Sequence, residues 1–304
     1  MYIEQAYSKR FDFIKYLPIP IMFFVLMLLN FVVLLVMDLD TDKIMKEQIA
    51  MSGENMVFFQ TVFPLAFFLV MLLLWVKFFH KQTITSLTTA RPKVDWGRIL
   101  FSFGLWSLVT IGLTAVAYFA APEDFKFNFQ PVPFAILFAL AIVLIPMQTS
   151  FEEYLFRGYL MQGLGIATRS RLFPLLFTSI MFGLMHIANP EIGKMGPILL
   201  IHYIGTGFLL GIMTLMDDGM ELSLGFHAAN NLTGCLLVTQ DWSALQTPSI
   251  LKDISEPSAG YDILIPVFVI YPILLFIFAK KYKWSGWKQK LTGKIILPDL
   301  NTQL

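Results

Sequence analysis

The segment Phe151-Glu-Glu-Tyr-Leu-Phe-Arg-Gly158 places two adjacent carboxylates and an arginine just after an apolar run, Pro131–Pro146, that contains no charged residue. On insertion scales, a charged side chain near the centre of a bilayer costs about 2.5–3.5 kcal/mol. Charges at this position therefore indicate that the protein uses them. Two later apolar segments carry further polar groups, Phe182-Gly-Leu-Met-His186 and His227-Ala-Ala-Asn-Asn231. We predict that these three patches meet in one site.

The composition indicates the class of protein. Of the 304 residues, 57% are hydrophobic and 14% are charged, whereas average proteins contain about 25% charged residues. This balance predicts an all-α polytopic membrane protein. The charges lie in short loops and tails, so the net charge of +1 indicates no nucleic-acid partner. Neither a Walker loop nor a dinucleotide fingerprint occurs, so we also expect no nucleotide ligand.

Stretches of about 20 apolar residues predict membrane-spanning helices. Eight occur, near 18–38, 57–79, 99–120, 132–150, 172–189, 197–216, 221–240 and 261–280. The fourth is predicted to continue as a helix to about residue 165. If the N-terminus is cytoplasmic, 17 of the 22 lysines and arginines fall in cytoplasmic segments. The positive-inside rule therefore predicts that both termini face the cytoplasm.

These spans divide the chain into three predicted regions. Residues 1–131 form an N-terminal transmembrane region of about three helices with a basic cytoplasmic linker. Residues 132–240 form a helical core that carries the polar patches. Residues 241–304 form the last transmembrane helix and a basic cytoplasmic tail.

Two smaller features predict packing or solvation rather than chemistry. Gly207 and Gly211 have the small-xxx-small spacing that allows close approach of a neighbouring helix. Asp217, Asp218 and Glu221 fall in a short turn on the predicted cytoplasmic side. We expect these three carboxylates to be solvated.

Helical spacing separates the charges of the first patch. Glu153 and Arg157 are four residues apart and can pair on one face of a helix. Glu152 points about 100° away from Glu153, so it is free to face a cavity. A carboxylate in such a place suits a general base. The alternative is a structural salt-bridge cluster, which we favour for Glu153 and Arg157.

The second and third patches also follow helical spacing. Phe182 and His186 share one helical face, and His227 and Asn231 share another. Two donors from one helix suit an oxyanion of a tetrahedral intermediate. Asn230 lies on a different face, where we predict that it donates a hydrogen bond to a neighbouring helix. The structural alternative for each residue is an interhelical hydrogen bond, but the three patches together favour a site.

The ordered motifs Glu-Glu-x-x-x-Arg at 152–157, Phe-x-x-x-His at 182–186 and His-x-x-x-Asn at 227–231 resemble those of the CPBP family. This family, also called ABI, comprises type II CAAX prenyl endopeptidases and bacteriocin-processing or bacteriocin-immunity proteins. The resemblance covers about residues 132–240. It implies an eight-helix intramembrane peptidase that acts on a membrane-associated peptide or protein in a bacterial cytoplasmic membrane. A prenylated CAAX substrate is an implication of the family name.

The resemblance also implies roles for the motif residues. Glu152 and His186 would activate the attacking water, and His227 and Asn231 would stabilise the oxyanion. The supporting residues would be Glu153, Arg157 and Phe182.

A metal-dependent mechanism is the alternative, because the family is often described as metalloproteases. Glu152, His186 and His227 would supply three zinc ligands and leave a fourth position open. The sequence contains no His-Glu-x-x-His motif, and a metal-free mechanism gives every polar group a role. We therefore favour water activated by glutamate with no required cofactor, and keep a divalent metal such as zinc as the alternative.

Two non-enzymatic functions also stay open. One is an immunity or scaffold protein that binds a membrane protein through the same pocket. The other is a proton-coupled transporter in which Glu152, His186 and His227 form a relay, although no internal repeat supports it. The topology poses a difficulty for any shared site. If every span crossed the bilayer, His186 would approach the outer face while Glu152 and His227 lay towards the cytoplasm.

Overall fold

The structure is a computed structural model that describes residues 1–257 and 260–297. In chain order its α-helices are α1 (Pro18–Val36), α2 (Thr41–Ser52), α3 (Glu54–Trp75), α4 (Ile84–Thr88), α5 (Trp96–Ala120), α6 (Pro131–Glu153), α7 (Met161–Thr168), α8 (Leu172–Leu184), α9 (Pro190–Met195), α10 (Leu199–Asp217), α11 (Glu221–Leu237), α12 (Tyr271–Tyr282) and α13 (Trp287–Thr292). Turns of π-helix lie at Val76–His80, Tyr154–Leu160 and Pro266–Ile270.

Three short strands, which the sequence did not predict, join distant parts of the chain. They are β1 (Phe125–Phe127), β2 (Val238–Gln240) and β3 (Leu251–Asp253). Their order in the sheet is β1-β3-β2, with β3 antiparallel to β1 and parallel to β2. The sheet connects the end of α11 to the segment between α5 and α6.

Among the described residues, five helical segments are long and apolar enough to cross a membrane: Phe13–Val36, Glu54–His80, Trp96–Ala120, Pro131–Thr168 and Leu199–Asp217. The protein is thus an all-α, polytopic integral membrane protein, as predicted. The number of eight spans is not confirmed. The fifth predicted stretch forms α8, whose 13 residues extend about 20 Å, less than the roughly 30 Å of a hydrocarbon core. The N-in, C-in orientation and the division into three regions stay predictions.

The helix that carries the first patch is the longest. α6, the π-turn and α7 form 38 continuous residues, or about 57 Å of helix. The prediction that this helix continues to about residue 165 is confirmed. Pro131 begins it, where a missing backbone N–H has no cost, and Arg169 ends it in the left-handed conformation. The π-turn starts immediately after Glu153, and such turns often occur at functional sites.

Close helix packing brings the patch-bearing helices together. α11 packs against α5 and α6, and α8 packs against α10. A Cβ built on Gly207 would lie 2.5 Å from the backbone oxygen of Ser179, and one on Gly211 would lie 2.6 Å from Leu175 Cδ1. The predicted close approach at Gly207 and Gly211 is therefore confirmed, with α8 as the neighbour.

The turn between α10 and α11 differs from the prediction. Asp217 and Glu221 are buried. Nη1 of Arg98 lies 2.5 Å from Oδ1 of Asp217, and Nη1 of Arg91 lies 3.1 Å from Oε2 of Glu221. The prediction of solvated charge was wrong for these two carboxylates, because Arg91 of the linker before α5 and Arg98 of the first turn of α5 supply cations there. Asp218 stays partly exposed and pairs with a lysine of α13.

Candidate active site

The end of α6 places two carboxylates in the protein interior. Glu152 is 2% exposed, and Glu153 and Arg157 are fully buried. Nη1 of Arg157 lies 3.0 Å from Oε1 of Glu153. Its Nη2 donates a hydrogen bond of 3.0 Å to the backbone oxygen of Gly207. The predicted pairing of Glu153 with Arg157 is confirmed, and the arginine also ties this helix to α10.

His227 on α11 lies between the two glutamates. Its Nδ1 is 2.9 Å from Oε1 of Glu153. Because the carboxylate paired with Arg157 only accepts hydrogen bonds, Nδ1 of His227 carries the proton. Its Nε2 is 3.7 Å from Oε2 of Glu152, which is too long for a direct hydrogen bond. The contact between His227 and Glu153 was not predicted from the sequence.

A side-chain relay links Glu152 to Asn231. Nε2 of Gln148 donates to Oε1 of Glu152, and Oε1 of Gln148 accepts a hydrogen bond of 3.1 Å from Nδ2 of Asn231. Oε2 of Glu152 and Oε2 of Glu153 are buried, and neither has a hydrogen-bond partner among the described residues. Sequence reasoning missed Gln148. The available signal was its position four residues before Glu152 in an apolar helix.

Phe182 connects the second patch to the other two. Its ring centroid is 5.1 Å from that of His186 and 5.7 Å from that of His227. The guanidinium carbon of Arg157 lies 4.3 Å from the same ring. His186 follows the end of α8, so its imidazole and that of His227 both contact the ring of Phe182. The short α8 therefore removes the difficulty that eight complete crossings would create.

The His186 imidazole has a defined orientation. Its Nδ1 is 2.8 Å from the backbone oxygen of Phe182, so Nδ1 is the donor and Nε2 is the remaining nitrogen. Tyr203 stacks on the ring at a centroid distance of 4.2 Å and an interplanar angle of 11°. The Tyr203 hydroxyl donates a 2.6 Å hydrogen bond to Glu191 Oε1. Glu191 Oε2 accepts a hydrogen bond of 3.0 Å from the backbone N–H of Ala244.

Tyr203 and Glu191 were also missed by sequence reasoning. Glu191 lies in α9, outside the three motifs, and joins α9, α10 and the chain after β2. Nothing in their local spacing indicates that they contact each other. The contact depends on the chain reversal between α8 and α10.

The asparagine pair lies at the accessible side of this cluster. Asn230 accepts a 3.1 Å hydrogen bond from the Trp106 indole of α5. The predicted contact with a neighbouring helix is therefore present, but Asn230 is the acceptor and not the donor. Its own amide donates to Oδ1 of Asn231 at 3.1 Å. Asn230 is exposed and His186 is half-buried, whereas Glu152 is buried.

The proposed metal ligands do not form a complete set. Within residues 1–257 and 260–297, no group of three or more His, Cys, Asp or Glu side chains is arranged to hold a metal ion. Nδ1 of both His186 and His227 is occupied by a hydrogen bond, so each histidine could offer only Nε2 to a metal. The arrangement does not fit the three-ligand site in which Glu152 would join these histidines, so we assign no step to a metal.

The fold and site together define an integral membrane protein with a buried cluster of glutamate, arginine, histidine and amide side chains. Residues 130–233 match the family model described as Type II CAAX prenyl endopeptidase Rce1-like. The resemblance predicted from the three motifs is therefore confirmed over this segment, which is about a third of the chain and contains every motif residue.

The chain is also similar to a bacterial protein over about half of its length. Uncharacterized protein YyaK of Bacillus subtilis (strain 168) is 35% identical to this chain over 166 residues. The similarity covers 54% of this chain and 56% of YyaK, so the chain spans little more than half the length of that relative. No solved structure matches significantly.

Proposed function

We propose that this protein is an intramembrane endopeptidase of a bacterial cytoplasmic membrane. Its substrates would be membrane-associated peptides or proteins, and their hydrolysis would require no metal. The match to a prenyl endopeptidase family supports the reaction class. One observation carries the mechanism. Oε2 of Glu152 is buried, has no hydrogen-bond partner among the described residues, and lies 3.7 Å from Nε2 of His227.

Glu152 is the proposed general base. A water bound beside its Oε2 gives up a proton to the carboxylate while the water oxygen attacks the carbonyl carbon of the scissile peptide. The resulting tetrahedral intermediate carries a negative oxygen. When the C–N bond breaks, Glu152 returns the proton to the leaving nitrogen. Nε2 of His186 has no hydrogen-bond partner among the described residues. We propose that it accepts a hydrogen bond from the same water, which orients that water.

His227 and Asn231 are the proposed oxyanion donors. A donor role for Nε2 of His227 requires the imidazolium form, since Nδ1–H already bonds Glu153. Glu152 and Glu153 lie on either side of the ring and compensate its charge. Donors that are fixed before the reaction stabilise the oxyanion without reorganisation. The 3.0 Å contact with Arg157 holds Glu153 in place, so that Glu153 acts as the acceptor that orients His227.

The substrate class follows from where the site lies and from the family. A catalytic cluster on membrane helices is reached by substrates that are themselves held at the membrane. The Rce1-like description suggests a prenylated CAAX terminus, so prenylated and unprenylated peptides are the decisive comparison. A protein that acts in immunity or scaffolding, or as a transporter, would cleave neither.

The experiment uses purified protein in liposomes and a panel of quenched membrane peptides, some prenylated at a C-terminal cysteine. Wild type is compared with His227→Ala and Asn231→Ala. The matched control is His202→Ala, which removes an imidazole of α10. Its ring packs against Tyr203 and Tyr271 and makes no hydrogen bond among the described residues. Every sample is measured with and without a chelator.

The expected result is cleavage by wild type and by His202→Ala, with or without chelator. Removal of one oxyanion donor typically lowers kcat by about 100- to 1,000-fold, so His227→Ala and Asn231→Ala should lose at least that much. Undiminished cleavage by His227→Ala would refute the oxyanion role. Complete inhibition by the chelator, reversed by added zinc, would replace the metal-free mechanism.

A further inference from the structure

A second polar cavity lies at the end of the span Glu54–His80, away from the catalytic cluster. It has a volume of about 210 Å³ and is lined by the N-terminal segment, by His80 and by the residues that follow it. Arg10 and Lys81 supply two cations, and the buried Tyr16 forms part of the lining. Ser8, Thr83 and Ser86 add three hydroxyl groups.

The charge of this cavity is one-sided. Among the described residues, none that lines it is acidic, and neither Arg10 nor Lys81 forms an ion pair with them. The larger cavity beside the turn between α10 and α11, of about 420 Å³, contrasts with it. There Arg91, Arg98 and Lys290 are all paired with carboxylates of the protein. Lys283 also lines the larger cavity and has no ion pair among the described residues. Of these two cavities, the smaller one therefore offers two cations whose charge is not compensated, and the larger one offers a single such cation.

Two unpaired cations suit an anionic ligand, and the surroundings of the cavity indicate where such a ligand would come from. His80 ends a helix that is long and apolar enough to cross the membrane, so the cavity lies at headgroup depth. Two residues close in sequence to the lining residues are exposed: Phe79, which precedes His80, and Ile14, two positions before Tyr16. Exposed apolar side chains at this depth can contact the acyl chains of a lipid. The predicted orientation places this side at the cytoplasmic leaflet, where anionic lipids attract basic residues.

We infer that this cavity binds the phosphate headgroup of an anionic phospholipid. Arg10 and Lys81 compensate the phosphodiester charge, and the hydroxyl of Ser8, which accepts a hydrogen bond from the backbone N–H of Arg10, donates its own proton to one of the phosphate oxygens. A phosphate is a strong acceptor, and charge-assisted hydrogen bonds to it are stronger than those between neutral groups. This inference stands on the cavity alone and does not depend on the proposed peptidase activity.

The cavity is linked to the catalytic helix through His80. Nε2 of His80 lies 2.9 Å from the Tyr159 hydroxyl, and Tyr159 belongs to the π-turn that follows Glu153. The Tyr159 hydroxyl donates a 2.7 Å hydrogen bond to the backbone oxygen of Lys15. A lipid bound here would therefore contact a histidine that is hydrogen-bonded to the helix carrying both glutamates.

The test measures lipid binding to the full-length protein. Purified protein in detergent is titrated with phosphatidylglycerol or with phosphatidylcholine, and bound lipid is counted by native mass spectrometry. The variant Arg10→Gln/Lys81→Gln removes both cavity cations, and Arg10→Gln alone leaves the turn at Lys81 intact. The matched control, Lys93→Gln/Lys288→Gln, removes two exposed lysines of the same predicted face that do not line the cavity.

Wild type should prefer phosphatidylglycerol, and the double variant should bind it about 10-fold more weakly or worse, because each basic residue near a lipid surface adds to binding. The control should change the affinity by less than about 2-fold. An equal loss in the control, or no preference for the anionic lipid, would overturn the inference. Displacement of the lipid by millimolar inorganic phosphate would assign the cavity to free phosphate and overturn the lipid source.

Discussion

Neutralising the two adjacent glutamates should lower the free energy of unfolding by very different amounts. Gln has nearly the same shape as Glu, so Glu152→Gln and Glu153→Gln change charge with little change in volume. Glu153 shares one oxygen between Arg157 and His227, at 3.0 and 2.9 Å. Glu152 has no cation at hydrogen-bond distance, and its nearest charged partner is Nε2 of His227 at 3.7 Å.

The magnitudes follow from these contacts. Removal of one partner from a buried ion pair costs about 3–5 kcal/mol, because the other charge stays buried without compensation. We expect Glu153→Gln to lower the free energy of unfolding by about 3 kcal/mol, since Arg157 keeps its bond to Gly207. Glu152→Gln removes a carboxylate that makes no hydrogen bond to a cation among the described residues, and His227 keeps its 2.9 Å contact with Glu153, so the cost should stay below about 1 kcal/mol.

The assay is unfolding of the purified protein in mixed micelles with increasing denaturing detergent, followed by tryptophan fluorescence. A double-mutant cycle with Arg157→Leu separates the pair from the single residues. The Glu153→Gln/Arg157→Leu variant should lose less stability than the sum of the single losses. Equal losses for the two glutamate variants, or strict additivity in the cycle, would refute this description of the charges.

Further predictions concern the second patch and the packing of α10. Tyr203→Leu removes the ring that stacks on His186 and should lower kcat by about 10-fold or more with little change in KM. Tyr203→Phe keeps the ring and should retain more activity. Equal cleavage rates for the two variants would exclude stacking as the cause. Gly207→Ala should destabilise the protein more than Gly211→Ala, because its new Cβ meets backbone and not a movable leucine side chain. Unfolding measurements that rank them in reverse would contradict this packing.

The sequence predicted those features that depend on local spacing or on long apolar runs. Five runs correspond to helices that are long enough to cross the membrane, and the four-residue spacing of Glu153 and Arg157 predicted their ion pair. It did not predict that α8 stops after 13 residues. Hydropathy continues past Leu184, whereas the chain turns at Asn189-Pro190, so an apolar run is a poor measure of helix length there.

Contacts between distant segments were beyond sequence reasoning. The bond between His227 and Glu153 joins residues 74 positions apart. The cations that pair with the buried Asp217 come from the linker before α5 (Arg91) and from the first turn of α5 (Arg98). An i, i+4 rule contains no information about such pairs. We therefore expected Asp217 to be solvated, and the one contact that we predicted for Glu153 was its ion pair with Arg157.

The most direct test of the central claim is the rate of peptide cleavage by Glu152→Gln in liposomes, compared with wild type and with the unfolding free energy of both. General-base catalysis typically contributes about 100- to 10,000-fold, so the rate should fall by at least about 100-fold while stability is preserved. A well-folded Glu152→Gln protein that cleaves the same peptide at close to the wild-type rate would contradict the assignment of Glu152 as the base.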